Sequence, residues 1–213
     1  MYFEYGEKET DYLKSRDKKL GEAIDRIGHI YRKADPDLFS SVIHHIIGQQ
    51  ISTAAQETIW KRLTHKVGTV NADTLLSMSR EDLQSIGTTF KKADYMRDFA
   101  EKVKTGAFDM DTLKSMTDEE VIRQLSSLKG LGQWTAEMIM TFSMQRPDIV
   151  SYGDLAIHRG MRMLYRHRKI DAVKFRRYRK RYSPYGSVAS LYLWAIAGGA
   201  IPGLTDPAPK RKS

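Results

Sequence analysis

Apolar positions recur at intervals of three and four along most of the chain. From Asp37 to Val67 they fall at Leu38, Val42, Ile43, Ile46, Ile47, Ile51, Ala55, Ile59 and Leu63, the period of an amphipathic helix. Pro36, with Asp35 or Asp37, predicts the helix start. "NADTLLSM" and "SREDLQSIG" read as two short helices with polar caps. "TTFKKADYMRDFAEKVKTG" is a further amphipathic helix ending near Gly106. "TDEEVIRQLSSL" opens with Thr117 and Glu120 at capping-box spacing. The last long helix is "GSVASLYLWAIAGG", closed by Gly198 and Gly199. Strand signals are scarce. "MYFEY" could be an extended arm or an edge strand, and "LTDPAPKRKS" predicts a disordered basic tail over 205–213. The pattern is that of an all-α protein.

Composition narrows this further. The 213 residues suit one large domain or two small ones sharing a cleft, and 41% hydrophobic residues supply a real core. A formal charge of +9 favours a polyanionic partner, with nucleic acid first, although ribosome-associated and heparin-binding proteins carry similar charge. The chain has no cysteine, which excludes disulfides, cysteine-bound zinc and iron–sulfur clusters. Neither a signal-peptide core nor a run of about 18 apolar residues is present. The expectation is a cytoplasmic, nucleoid-associated or nuclear protein that spans no membrane. His44 and His45 read as helix residues, and no His, Asp and Glu set has metal-ligand spacing.

Candidate chemistry gathers in "SSLKGLGQWTAEMIM", residues 126–140. Two glycines, Gly130 and Gly132, separate a polar helix ending near Leu128 from an apolar helix beginning at Gln133. Glycine tolerates positive φ and lets a partner approach the backbone. The unsatisfied amides and positive dipole end of the second helix suit a phosphate oxygen, and Lys129 adds charge. A tight turn between packed helices would use the same residues. Further on, "RPDIVSYGDLAIHRGMRMLY" places Asp154 after Gly153 at the start of another helix. Alone it is an N-cap. Helix amides also stabilise a carboxylate there, and that carboxylate could in turn stabilise a developing cation on bound DNA.

"LKGLGQWTAEMI" followed by "YGDLAIHRG" resembles the helix–hairpin–helix DNA glycosylases, and within them the alkylbase branch, the 3-methyladenine DNA glycosylase II (AlkA-type) enzymes. "IIGQQISTAA", "IGTTFKKADYMRDFA" and "YSPYGSVASLYLW" resemble three further segments of that family, in its order, from about residue 35 to 200. The resemblance implies a two-lobed helical fold with the active site in the interlobe cleft. No N-terminal β domain is expected, since only about 35 residues precede the matched region. An N-terminal arm and helix (1–34) would pack with the C-terminal lobe. A helical lobe (35–145) would contain the helix–hairpin–helix at about 117–145. The catalytic loop and C-terminal helices would fill 146–204.

The implied activity is a monofunctional glycosylase that hydrolyses the N-glycosidic bond of alkylated purines of the 7-methylguanine and 3-methyladenine class in double-stranded DNA, as in base excision repair. Asp154 takes the family's catalytic position. Trp134 stands where lyase-type relatives carry a lysine, so no strand nicking is expected. Trp134 and Trp194 match aromatic residues of the pocket that receives the flipped base, Tyr152 lies near, and Met138 replaces a pocket tyrosine. The DNA backbone would be held by Lys129, Gly130, Gly132, Gln133, Thr135 and Arg159. Gln50 or Ile51 would be the wedge that fills the vacated space. A monovalent cation on the hairpin carbonyls of Leu128 and Leu131 would be structural, and no other cofactor is implied. Gly186 departs from the family's arginine, which would remove a phosphate or structural interaction. Between 159 and 181 lie eleven Lys or Arg and one acid, Asp171, a block suited to the DNA backbone. A monomer is expected, one flipped base needing one site. A glycosylase for deaminated or mismatched bases such as hypoxanthine or uracil, and a non-catalytic DNA-binding module, remain as alternatives.

Overall fold

A computed structural model describes residues 1–208. Among them helices dominate, and the sole β pairing is an isolated antiparallel bridge between Tyr2 and Lys33. The chain divides into two compact units, one of residues 1–34 with 145 onward and one of residues 35–144.

In the second unit, α3 (Leu38–Gly48) is capped by Asp37, whose carboxylate accepts from Ser40 N–H at 3.1 Å. The apolar period continues through Ile51, yet the helix stops at Gly48. Ser52 caps a new helix, α4 (Thr53–Val67), and leaves a four-residue loop between the two. Short helices α5 (Ala72–Leu76) and α6 (Arg80–Ser85) carry capping boxes on Asn71 and Ser79. Helix α7 (Phe90–Lys104) follows, then a single 3-10 turn (Thr112–Ser115) that the apolar pattern does not signal. Thr117 and Glu120 form the expected capping box on α8 (Asp118–Ser126), and α9 (Gln133–Phe142) closes the hairpin. Phe39 of α3 stacks on Phe99 of α7 at 5.0 Å.

In the first unit, two helices, α1 (Glu7–Arg16) and α2 (Lys18–Ile27), follow the arm. The arm pairs with residues 32–34 through Phe3 N–H to Arg32 O (2.8 Å) and Ala34 N–H to Met1 O (3.1 Å). The unit is completed by α10 (Leu155–Tyr165), α11 (Ala172–Tyr182) and α12 (Gly186–Ala197). Helix α10 lies against α12 so closely that a Cβ on Gly160 would strike the Leu193 backbone. Asp17, 4% exposed, caps α2 and accepts from Tyr165 Oη (3.0 Å) and Arg181 Nη1 (2.9 Å), while the Tyr165 and Tyr182 hydroxyls share a 2.8 Å bond. This buried network ties α2 to α10 and α11, and burial pushes both tyrosine pKa values up. The expected tail is fixed at its start: Arg162 binds both carboxylate oxygens of Asp206, at 2.9 and 2.5 Å. That bidentate pair orders a segment whose composition reads as disordered. Residues 209–213 lie outside the described residues.

Candidate active site

Asp154 caps α10. Its Oδ1 accepts from Ala156 N–H at 2.8 Å and Ile157 N–H at 2.9 Å, and the residue is 7% exposed. The segment leading to it is bonded to the first half of α12. Ile149 N–H donates to Ser187 Oγ (2.9 Å), Ser190 Oγ donates to Ile149 O (2.9 Å), and Ser187 N–H donates to Pro147 O (2.9 Å). His158 Nε2–H donates to Tyr152 O at 2.8 Å, so α10 grips its own preceding loop. The rings of Tyr152, His158 and Phe175 form one cluster, with Tyr152 edge-on to Phe175 at 4.9 Å. Each bond restricts the backbone that sets the Asp154 carboxylate. Tyr152 remains about half exposed, Trp194 is half-buried on α12, and Arg159 is exposed on α10.

Gly186 has a local explanation. Its N–H donates to Asp148 Oδ1 at 3.0 Å, and a Cβ there would lie 2.6 Å from that oxygen and 2.7 Å from Val150 Cγ2. The Asp148 carboxylate, which also accepts from Ser183 Oγ at 2.6 Å, takes the space a side chain would need. Helix α12 is thus anchored by Asp148, a residue that local pattern does not single out because its partners lie 35 and 38 positions away. The basic block also resolves. Arg162, Lys174, Arg179 and Arg181 pair with Asp206, Asp171, Asp148 and Asp17. Arg159, Arg166, Arg168, Lys169, Arg176, Arg177 and Lys180 are exposed.

The other group of candidates belongs to the second unit. The hairpin spans Leu128 to Gly132. Gly130 has φ +85°, and a Cβ on it would enter the Tyr95 ring, so both conformation and packing require glycine. Gly132 has an extended backbone and open space around it. No side chain caps α9, whose first turn holds Gln133, Trp134 and Thr135. Trp134 is 47% exposed and Met138 is buried. Lys129 Nζ pairs with Asp98 at 2.7 Å, which raises the lysine pKa through that hydrogen bond. An exposed pair of this kind contributes little and exchanges readily. The Leu128 carbonyl accepts from Leu131 N–H at 3.1 Å and retains a second lone pair, so a monovalent cation on Leu128 and Leu131 is compatible with the turn. Among the described residues no group of three His, Asp or Glu could hold a metal ion.

The hairpin and the "GQQIS" loop are one assembly. Gln49 Nε2 donates to Gly130 O. Lys92 Nζ donates to Ile47 O and Gln49 O, each at 2.7 Å, and desolvation lowers its pKa. These bonds satisfy carbonyls at the end of α3. They hold the chain just before Gln50, which is exposed with φ +56°, a left-handed conformation that costs a non-glycine residue about 1 kcal/mol or more. Ile51 is 37% exposed on the descending side.

Residues 43–184, two thirds of the chain, match the model of the HhH-GPD superfamily base excision DNA repair proteins. The chain belongs to this superfamily. HhH-GPD relatives include a putative DNA-3-methyladenine glycosylase of Bacillus subtilis, 25% identical over 75% of this chain, and DNA-3-methyladenine glycosylase 1 of Schizosaccharomyces pombe, 27% identical over 73%. The matches span 59% and 71% of those proteins' lengths. The crystal structure of a DNA-3-methyladenine glycosidase from Bacillus halodurans is 35% identical, with a TM-score of 0.83 and 93% of each chain covered. Within this all-α HhH-GPD fold, the residues that local pattern missed are the supports: Asp148, Ser187, Ser190 and His158 around Asp154, and Gln49, Lys92 and Tyr95 around Gly130.

Proposed function

We propose that this chain is a monofunctional DNA glycosylase that releases alkylated purines of the 3-methyladenine and 7-methylguanine class from double-stranded DNA. The observation that carries the reading is Asp154, a nearly buried carboxylate held at the start of α10 by two amides. A module that only binds DNA gains nothing from an anion fixed in this way, because it repels phosphate. A glycosylase needs it. As the bond from C1′ to the base nitrogen breaks, its electron pair leaves with the base and positive charge develops on the sugar. A fixed carboxylate stabilises that charge without reorganising, and water then adds to C1′ and loses a proton, for which Asp154 is the acceptor. An alkylated purine is already cationic and departs as a neutral base. The names of the Bacillus halodurans structure and of the yeast relative agree with this substrate class.

Trp134 offers no amine at its position on α9, so no Schiff base forms there, and the product is an intact strand carrying an abasic site. The first turn of α9 and Gly132 take a phosphate, with Lys129 exchanging Asp98 for it. Gln50, at the tip of its braced loop, is the wedge; Ile51 flanks it. An electron-poor base gains from an aromatic face, for which Trp134, Trp194 and Tyr152 are the candidates. The direct test is incubation of methylated duplex DNA with the protein, followed by chromatography of free bases and electrophoresis of the strands. Release of 3-methyladenine or 7-methylguanine with strands that break only after hot alkali is expected. DNA binding without release of either base would overturn the reading.

A further inference from the structure

Helix α7 carries a stripe of polar side chains along the hairpin. Lys91, Tyr95, Asp98 and Lys102 follow at intervals of four, three and four, which puts them on one face of the helix. Two of them touch the hairpin. A Cβ on Gly130 would strike the Cδ2–Cε2 edge of the Tyr95 ring, and Asp98 binds Lys129 Nζ at 2.7 Å. Lys91 stands one turn before Tyr95 on that same stripe. Its ammonium lies over the Tyr95 ring, 5.8 Å from the centroid. One aromatic ring therefore joins Lys91 to the hairpin.

The charges around this ring differ in what they have left to offer. Lys129 is held by Asp98, and Asp98 also pairs with Lys102 at 2.8 Å. Asp94, the other acid on this part of α7, is taken by Arg80 through two bonds of 2.5 and 2.9 Å. The acids of the stretch are thus neutralised within the protein. Lys91 is exposed and has no carboxylate partner among the described residues, and the Tyr95 hydroxyl has no hydrogen-bond partner among them. Lys129, also exposed, lies near enough to Tyr95 for the two to interact. With an exposed lysine on either side, the half-buried Tyr95 braces Gly130 with its ring edge and keeps its hydroxyl at the surface. An ammonium and a phenol that both lack a partner are two donors for one anion.

We propose that Lys91 Nζ and Tyr95 Oη together seat a second backbone phosphate of the strand that the hairpin holds. The proposal rests on the reading above of the hairpin and the first turn of α9 as a phosphate site. A strand carries a phosphate about every 3.4 Å of duplex axis, so a strand seated at Gly132 brings further phosphates past the neighbouring surface. A second seat fixes the direction of the strand as well as its position. Contacts of this kind are indifferent to sequence and to damage.

The test is affinity for undamaged duplex DNA, read by fluorescence anisotropy across a salt series, for the native chain, Lys91→Gln and Tyr95→Phe, with melting temperatures recorded for each. Lys91→Gln removes one charge at an exposed position, so the slope of log affinity against log salt should flatten by about one. Tyr95→Phe keeps the ring beneath Gly130 and removes only the hydroxyl. Affinity should then fall by about tenfold, the loss of one hydrogen bond to a charged group, with the slope unchanged. Both variants should melt with the native chain. A native slope for Lys91→Gln, or native affinity for Tyr95→Phe, overturns the proposal while the glycosylase reading stands. A native chain that binds duplex DNA but releases no methylated base defeats that reading and leaves this phosphate seat in place. A native chain that binds no duplex defeats both.

Discussion

Helices α9 and α10 begin in opposite ways. At α10 the positive end of the helix is occupied by the chain's own carboxylate, with Asp154 Oδ1 on two amides and the residue nearly buried. At α9 the same position is Gly132, no side chain caps the helix, and the surroundings are open. The dipoles are alike, and the difference lies in which anion each end receives. In the proposed reading, one holds an anion permanently for a cation that develops in the reaction, and the other leaves its place to an anion brought by the substrate. The supports match these roles: Asp154 sits in a segment bonded to α12 and gripped by His158, whereas the α9 hairpin is braced from behind by Gln49, Tyr95 and Lys92 while its front stays accessible.

Four experiments sharpen or break this comparison. Asp154→Asn keeps a capping side chain and removes the charge, so base release should fall by about 100- to 1000-fold in single turnover, with little change in melting temperature. Affinity for duplex DNA, read by fluorescence anisotropy, should hold or tighten. Gly132→Asp gives α9 the carboxylate that α10 already has. The backbone there is extended and the space open, so folding should be unaffected, but affinity should weaken by about tenfold as the new charge opposes phosphate. Unchanged affinity would mean that the α9 end does not meet DNA.

A smaller effect is expected from replacing Arg176, Arg177 and Lys180 of α11 with glutamine. If these exposed cations meet phosphates, the slope of log affinity against log salt should flatten by about one for each phosphate that is no longer neutralised. An unchanged slope would leave them as a solvated face. The smallest effect concerns acid stability. The folded chain holds His45 at about 4, below the ordinary 6.5, so between those values the unfolded chain takes up a proton that the folded chain refuses. Stability from this group is complete above pH 6.5 and declines as pH falls toward 4. Melting temperature measured across that window should decline less steeply for His45→Leu than for the native chain.

What could be read from sequence was local. Asp37, Thr117 with Glu120, and Asp154 are all caps, and a cap forms between residues two or three apart, so composition at that spacing reveals it. The break after Gly48 was harder to see because the apolar period runs straight through it to Ile51. What stops α3 there is a cap by Ser52 together with a lysine, Lys92, more than forty positions away. Gly186 illustrates the same limit at the site. Beside the family's arginine it suggested a missing interaction. In the fold it is the position where Asp148 enters, and a side chain there would have to displace Asp148 or Val150. The basic block divides in the same manner: four of its cations have structural carboxylates, and three of those partners, Asp206, Asp148 and Asp17, lie 31 or more residues distant. The proposed contacts with DNA fall to the exposed remainder.

The most direct measurement places both helix ends in one experiment: single-turnover release of 7-methylguanine from methylated duplex DNA by the native chain, Gly132→Asp and Asp154→Asn, each at rising protein concentration. The account predicts that Gly132→Asp reaches the native rate once DNA is saturated, because only binding was weakened, and that Asp154→Asn stays far below it at every concentration. A native rate for Asp154→Asn would contradict the central claim, as would a Gly132→Asp rate that saturation fails to restore.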